Sequence, residues 1–217
     1  MKTVVFDLEI KKQIVPANPD ERNTHQNELI EKGEAVAGWE QAHTAGISSG
    51  VAYCIEEDRY YIYGDNYSDH SDLADQLAAA DHVIGFNHWN FDYALLAETV
   101  GLPLSHITDI DSPPGERDLD LLQMAWAGHG KRVFGRGFSL GNLCEANFGE
   151  GKNGNGAHAP ILYQQGKWGQ LLNYNVRDVE LTAKLHRFMQ GTGHLFREHG
   201  GKIHRIHWRH PLQWFPR

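Results

Sequence analysis

The sequence predicts a mixed α/β fold, and three patterns carry that prediction. A strongly apolar strand pattern opens the chain over residues 3–10. Two more strand patterns, 46–55 and 59–64, follow with a short turn between them, giving an antiparallel meander of three strands. Strand and helix patterns then alternate as far as residue 189, as a sheet covered by helices requires. At 217 residues, 41% hydrophobic and 22% charged, the chain suits one globular domain with a full core.

Side chains along a strand alternate faces, so Val4, Phe6, Leu8 and Ile10 line one side of the first strand while Asp7 and Glu9 share the other. Adjacent carboxylates repel, and a cation between them is what keeps both ionised. Asp7-Leu8-Glu9 therefore reads as half of a divalent-metal site, although the same letters alone also fit acids facing water. The polar stretch 11–46 contains Pro16, Pro19 and a charged segment, 28–40, expected to form a short helix. Connections this long inside a compact domain are functional or disordered, so it reads as an insertion flanking the site.

The meander strands carry Ile47, Val51, Tyr53 and Ile55, then Tyr60 to Tyr63, around the turn Glu56-Glu57-Asp58. Residues 71–80 predict a helix with Ser71 as N-cap and Leu73, Leu77 and Ala80 on one face. Residues 82–87 read as a buried strand, and 90–100 as a helix stopped by Gly101 and Pro103. Asp118 and Asp120 stand on or near a further strand; one of them could approach the site, but an exposed strand end or a cap fits at least as well, and both are left out of the catalytic set. A short helix over 138–148 turns Leu140, Leu143 and Cys144 inward. The loop 149–158 holds Gly149-x-Gly151-x-x-Gly154, but no strand pattern precedes it and no helix opens on it, so it is not a dinucleotide fingerprint. The clearest helix is 169–189, with Leu172, Val176, Val179 and Ala183 as its core stripe and Tyr174 and Asp178 on another face. Residues 195–199 and 202–208, around Gly200-Gly201, predict a hairpin.

A net charge of −8 argues against a nucleic-acid coat protein. From residue 194 to 217, however, five Lys or Arg face a single acid, Glu198, so this tail could hold a polyanion locally. Lys202, Arg205 and Arg209 interleave with Trp208, which suits single-stranded nucleic acid; the hairpin could equally pack on the core or on a second subunit. His204-x-x-His207 lacks cysteine or acid partners at ligand spacing, so a solvated basic hairpin is preferred to a zinc site. Only Cys54 and Cys144 occur, fitting buried free thiols. No run approaches the roughly 18 apolar residues of a membrane span, and the chain opens directly into a strand. The expectation is a cytoplasmic protein with no membrane contact: one domain over 1–193 with the 11–46 insertion, and an extension over 194–217.

Four acids stand where an α/β sheet can bring them together: Asp7 and Glu9 on the first strand, Asp92 in the first turn of a helix, and Asp178 on the last long helix. Two hard cations roughly 4 Å apart could there bind the attacking and leaving oxygens of an in-line displacement at phosphorus. Mg²⁺ takes oxygen ligands and keeps several waters, so three or four carboxylates suffice. Tyr174, one turn before Asp178, could orient a water.

Phe6-Asp7-Leu8-Glu9, Asn87-His88-Trp89-Asn90-Phe91-Asp92 and Tyr174-Asn175-Val176-Arg177-Asp178 resemble, in order, the three motifs of the DEDD superfamily of 3′-to-5′ exonucleases. The Tyr-x-x-x-Asp spacing is similar to the DEDDy branch, which includes ribonuclease D and polymerase proofreading domains. The segment from Ser139 through Gly149-Glu150-Gly151-Lys152 further resembles the proofreading exonuclease of family B DNA polymerases. The resemblance spans roughly residues 3 to 189 and implies a ribonuclease H-like fold: a mixed five-stranded sheet flanked by helices. It implies two divalent cations, Mg²⁺ or Mn²⁺. Asp7 would bridge them, Glu9 and Asp178 would complete the site of the water-activating metal, Asp92 would serve the other, and Tyr174 would hold the attacking water. Asn87 and Phe91 would contact the sugar and base of the 3′-terminal nucleotides. With no polymerase module following, the expectation is a free-standing exonuclease acting on single-stranded ends, DNA ahead of RNA. An exoribonuclease similar to ribonuclease D and a catalytically silent nucleic-acid-binding module are the alternatives. The 11–46 insertion and the basic hairpin match no core feature of the family.

Overall fold

The computed structural model describes residues 1–108, 117–133, 135, 137–152 and 156–207. The chain enters β1 (Thr3–Ile10), then an insertion made of β2 (Gln13–Val15), α1 (Thr24–Glu31), β3 (Ala35–Ala37) and a 3-10 helix (Trp39–Thr44). β4 (Ile47–Cys54) and β5 (Arg59–Tyr63) complete the meander, and α2 (Tyr67–Ala78), β6 (His82–Gly85) and α3 (Asp92–Val100) follow. Next come β7 (Asp118–Asp120), α4 (Leu121–His129), α5 (Leu140–Phe148), α6 (Ala159–Gln164) and α7 (Trp168–Thr192). β8 (His194–His199) and β9 (Lys202–His207) form the hairpin.

The molecule is α/β, with a five-stranded mixed sheet in the order β5-β4-β1-β6-β7 flanked by helices. β1 lies at its centre, antiparallel to β4 and parallel to β6. Its two faces feed two cores, as the alternation of its residues requires. Val4, Phe6, Leu8 and Ile10 pack with Leu73 and Leu77 of α2 and Leu95 and Leu96 of α3. Val5 lies in the other core, with Val179, Leu181 and Leu185 of α7 and Leu143 of α5. Asp7 and Glu9 therefore point to the side that α7 covers. The β1–β4 register shifts between Glu9 and Ile10, a bulge at the edge of the acid pair, where such irregularities commonly re-aim side chains.

Several boundaries differ from expectation because a cap outweighed the periodic pattern. The helix expected over 28–40 instead occupies Thr24–Glu31, because Asn23 and Gln26 form a reciprocal capping box: each backbone N–H is accepted by the other's side chain, at 3.0 and 2.9 Å. The residues after it make β3, which pairs in parallel with β2, and Val15, Leu29 and Ala35 give the insertion a small core of its own. α2 starts at Tyr67 with Asn66 as its N-cap, not at Ser71. α6 was not expected at all.

The hairpin is not a separate body. Leu195 and Ile206 belong to the α7-side core, Asn147 of α5 bonds the Phe196 N–H and C=O at 2.7 Å each, and the Arg197 guanidinium lies 4.7 Å over the Phe138 ring. A Cβ on Gly128 would collide with the His207 carbonyl, so a glycine in α4 is what lets the hairpin approach. Trp208 and Arg209 lie outside the described residues. Both cysteines are buried free thiols. No helix among the described residues is long and apolar enough to cross a membrane.

Candidate metal centre

β1 and α7 meet at the acids. Ligand oxygens of Asp7, Glu9 and Asp178 lie within 4.8 Å of one another, and this is the one group of three or more metal-ligating side chains found among the described residues. Two carboxylates at that separation repel by roughly 3 kcal/mol at an effective dielectric constant of ~20. Burial first, and the neighbouring acids second, push Asp7 and Glu9 well above the ordinary carboxylate range. Burial likewise raises Asp178, although Lys152 and Tyr174 pull the other way.

Asp92 lies beside this group. It is the first residue of α3, 4% exposed, and its Oδ1 accepts the Leu8 N–H at 3.1 Å, which ties the helix start to the strand between the two acids. Burial pushes its pKa up to about 7, and its charge adds to the field at Asp7 and Glu9. Asp92 is thus near the three acids electrostatically without joining their tight cluster.

The expected core stripe of α7 needs correction. The buried residues are Leu171, Asn175, Asp178, Val179, Leu181, Thr182, Ala183, Leu185, His186 and Met189, while Leu172 and Val176 are only half-buried. Asp178 is therefore part of the buried face and not of a separate one. It can sit there because the sheet residues it meets are themselves polar. Asn175, fully buried, donates to the Ser49 carbonyl at 3.2 Å and to Ser49 Oγ at 3.0 Å, and Ser49 pairs with Glu9 across the β1–β4 ladder. That clamp sets the helix at the height where Asp178, three residues on, meets Asp7 and Glu9.

Lys152 supplies the counter-charge. Its Nζ pairs with Asp178 Oδ2 and lies 3.5 Å from the Tyr174 hydroxyl. Burial works against its charge, but Asp178 and Asp7 hold the ammonium above its usual value. Its loop is pinned through Glu150, which pairs with Arg177 and Lys184 at 2.8 Å each. With all three carboxylates ionised, one ammonium leaves two negative charges without a counter-charge, a deficit that a divalent cation could fill. Asp178 Oδ1 is also buried without a hydrogen-bond partner. The donors are all hard oxygens, so they fit Mg²⁺ or Mn²⁺ and not a thiolate- or imidazole-seeking metal.

Asp118 and Asp120 have structural partners. Asp120 N-caps α4 through the Leu122 and Gln123 N–H groups and also accepts the Asn87 and Trp89 N–H at 2.9 and 3.2 Å. It thereby holds the Asn87–Asn90 loop against α4. Asp118 accepts from Tyr93, Thr108 and Arg117.

Asn87 and Phe91 face open space. Asn87, at φ +68°, borders two cavities. One, of about 750 Å³, runs past Phe86, Trp126 and Ser139 to Lys152. The other, of about 690 Å³, is lined by Phe91, Asn90, Glu40 and His43. Trp39 borders both. No local sequence pattern marks Lys152, Asn175 or Trp39 as functional. Lys152 and Asn175 stood inside stretches already noticed, but the pairings that give them roles span 26 and 126 residues.

Neither a protein-family model nor a curated protein matches the chain.

Proposed function

We propose that this chain has a ribonuclease H-like fold and acts as a metal-dependent 3′-to-5′ exonuclease of the DEDDy type, hydrolysing phosphodiester bonds at single-stranded DNA ends. One observation carries the reading: Asp7 and Glu9 from the central strand and Asp178 from the longest helix converge on one point with two charges uncompensated. Left without a counter-ion such a cluster costs the fold stability, which supports reading it as a ligand site. The 3′-to-5′ direction rests on the motif resemblance.

When bound, two divalent cations stabilise the attacking and leaving oxygens of an in-line displacement. Glu9, Asp7 and Asp178 would hold one, and Asp92, with Asp7 shared, the other. Asp7 suits the shared position because it feels all three other acids. Burial raises the Tyr174 hydroxyl above its ordinary value, so it keeps its proton and can orient a water by donating or accepting a hydrogen bond. Lys152, beside that hydroxyl, keeps a positive charge near the reacting phosphate. Phe91 offers an aromatic face to a terminal base and Asn87 an amide to its sugar.

The test is digestion of 5′-labelled single-stranded DNA and RNA of one sequence with Mg²⁺, Mn²⁺ or chelator. A metal-dependent ladder shortening from the 3′ end is expected, abolished in Asp7→Ala. Faster digestion of RNA would move the assignment to an exoribonuclease. Oligonucleotides that bind yet stay intact in every lane would make the chain a binding module.

A further inference from the structure

Trp39 is 74% exposed, an unusual position for the largest apolar side chain. It opens the 3-10 helix at the end of the insertion, a segment with no part in the acid cluster. Its indole lies 6.1 Å from the Phe91 ring, centroid to centroid, at 67°. Phe91 packs against the α2–α3 core and is held there, whereas Trp39 meets solvent on most of its surface. A base sandwiched between two aromatic planes needs them about 6.8 Å apart, twice the ~3.4 Å stacking rise. The present separation already approaches that value. The two rings now meet edge to face, so seating a base between them requires the exposed indole to move outward and to turn parallel to Phe91.

The surroundings match. The cavity that both rings border holds about 690 Å³ and is lined also by Glu40, His43, Asn87 and Asn90, whose polar groups suit the edge of a heterocycle. Phe91 directly precedes Asp92, so a base seated here hangs beside the acids. The insertion is braced as a carrier. Gly38, at φ +78°, packs so closely on Ala17 that a Cβ would lie 2.8 Å from its side chain. Gln164 of α6 donates to the Lys11 and Glu34 carbonyls at 3.0 and 2.7 Å, fastening the chain just before each of the paired strands β2 and β3.

We infer that Trp39, carried by the 11–46 insertion, is a specificity-determining residue that closes over the terminal base of a single-stranded nucleic acid and stacks it against Phe91. This rests on the proposed nucleic-acid substrate and gives the insertion its purpose: it selects ends whose last base is unpaired and able to leave its neighbours.

Two 5′-labelled single-stranded DNAs of one sequence, one ending in a base and the other in an abasic sugar, test it. Binding is followed by anisotropy with Ca²⁺, and cleavage with Mn²⁺. Wild type should bind the base-bearing end about tenfold tighter, the size of one stacking contact. Trp39→Ala should cut the difference to what Phe91 alone supplies and raise KM with little change in kcat, and Trp39→Phe should restore most of it. An unchanged preference in Trp39→Ala overturns the inference while leaving the nuclease assignment standing. A Trp39-dependent preference without cleavage supports the inference and overturns the nuclease assignment. Absence of binding and cleavage by wild type overturns both.

Discussion

Asn175 donates to Ser49 Oγ at 3.0 Å, and Ser49 is the ladder partner of Glu9. This one buried contact couples the height of α7 to the strand that carries two of the acids. Replacing Asn175 by Ala leaves Ser49 in a buried site without its donor, at a cost of about 1–3 kcal/mol. Asn175→Ala should lower the urea midpoint accordingly. A double-mutant cycle with Ser49→Ala should return a coupling of about 1 kcal/mol. Additive losses would show that the bond to Ser49 Oγ contributes nothing, since Ser49→Ala keeps the carbonyl that Asn175 also bonds.

Repulsion among Asp7, Glu9 and Asp178 predicts opposite effects with and without metal. Asp7→Asn removes one of the clustered charges, so in chelator the variant should melt higher than wild type. Addition of Mn²⁺ should raise the melting temperature of wild type and leave Asp7→Asn nearly unmoved, because ligand-linked stabilisation requires the site. Equal metal-induced shifts in both proteins would place the cation elsewhere.

Lys152 should behave as the mirror image. Lys152→Met deletes the ammonium paired with Asp178, so the variant should be less stable than wild type in chelator. Breaking one side of a buried pair typically costs about 3–5 kcal/mol, with less expected here because the Lys152 side chain is 24% exposed. Mn²⁺ should then stabilise Lys152→Met more than wild type. The comparison is read from calorimetric scans with and without the ion.

His88 sets a pH dependence away from the acid cluster. Burial pushes its pKa down to about 3, against roughly 6.5 when unfolded. Between these values the unfolded chain takes up a proton that the folded chain refuses, so this group removes stability as pH falls from about 6.5 towards 3. His88→Phe should flatten that limb of the urea midpoint against pH. Parallel curves for the two proteins would mean that the ring protonates freely when folded.

The hairpin's close approach gives a steric prediction. In Gly128→Ala the new methyl meets the His207 carbonyl, and overpacking of this kind costs about 1–3 kcal/mol. Hydrogen exchange over residues 194–207 should accelerate while that of β1 and β4 changes little. Uniform acceleration would show that the hairpin and the sheet open together.

The sequence by itself determined the sheet and its helical layers, and it marked the three acids that the structure brings together. A strand's alternation put Asp7 and Glu9 on one face, Gly101 and Pro103 ended α3, and the long helix pattern carried Asp178, while Asp92 and Tyr174 were marked as ligand and water-holder by the motif resemblance. These are local signals: period, caps and spacing are set by residues within a few positions of one another. The boundaries of α1 and α2 were misplaced because Asn23 and Asn66 were passed over as caps. Tertiary structure alone decided the rest. Asp178 shares the buried face of α7 because Asn175 finds Ser49, 126 residues away. Lys152 neutralises part of the cluster because Glu150 is pinned by Arg177 and Lys184. Trp39 meets Phe91 because the insertion folds back on α3. In each case the energy comes from a partner that is remote in the chain, and no periodicity along the sequence records which distant surface a polar side chain will meet.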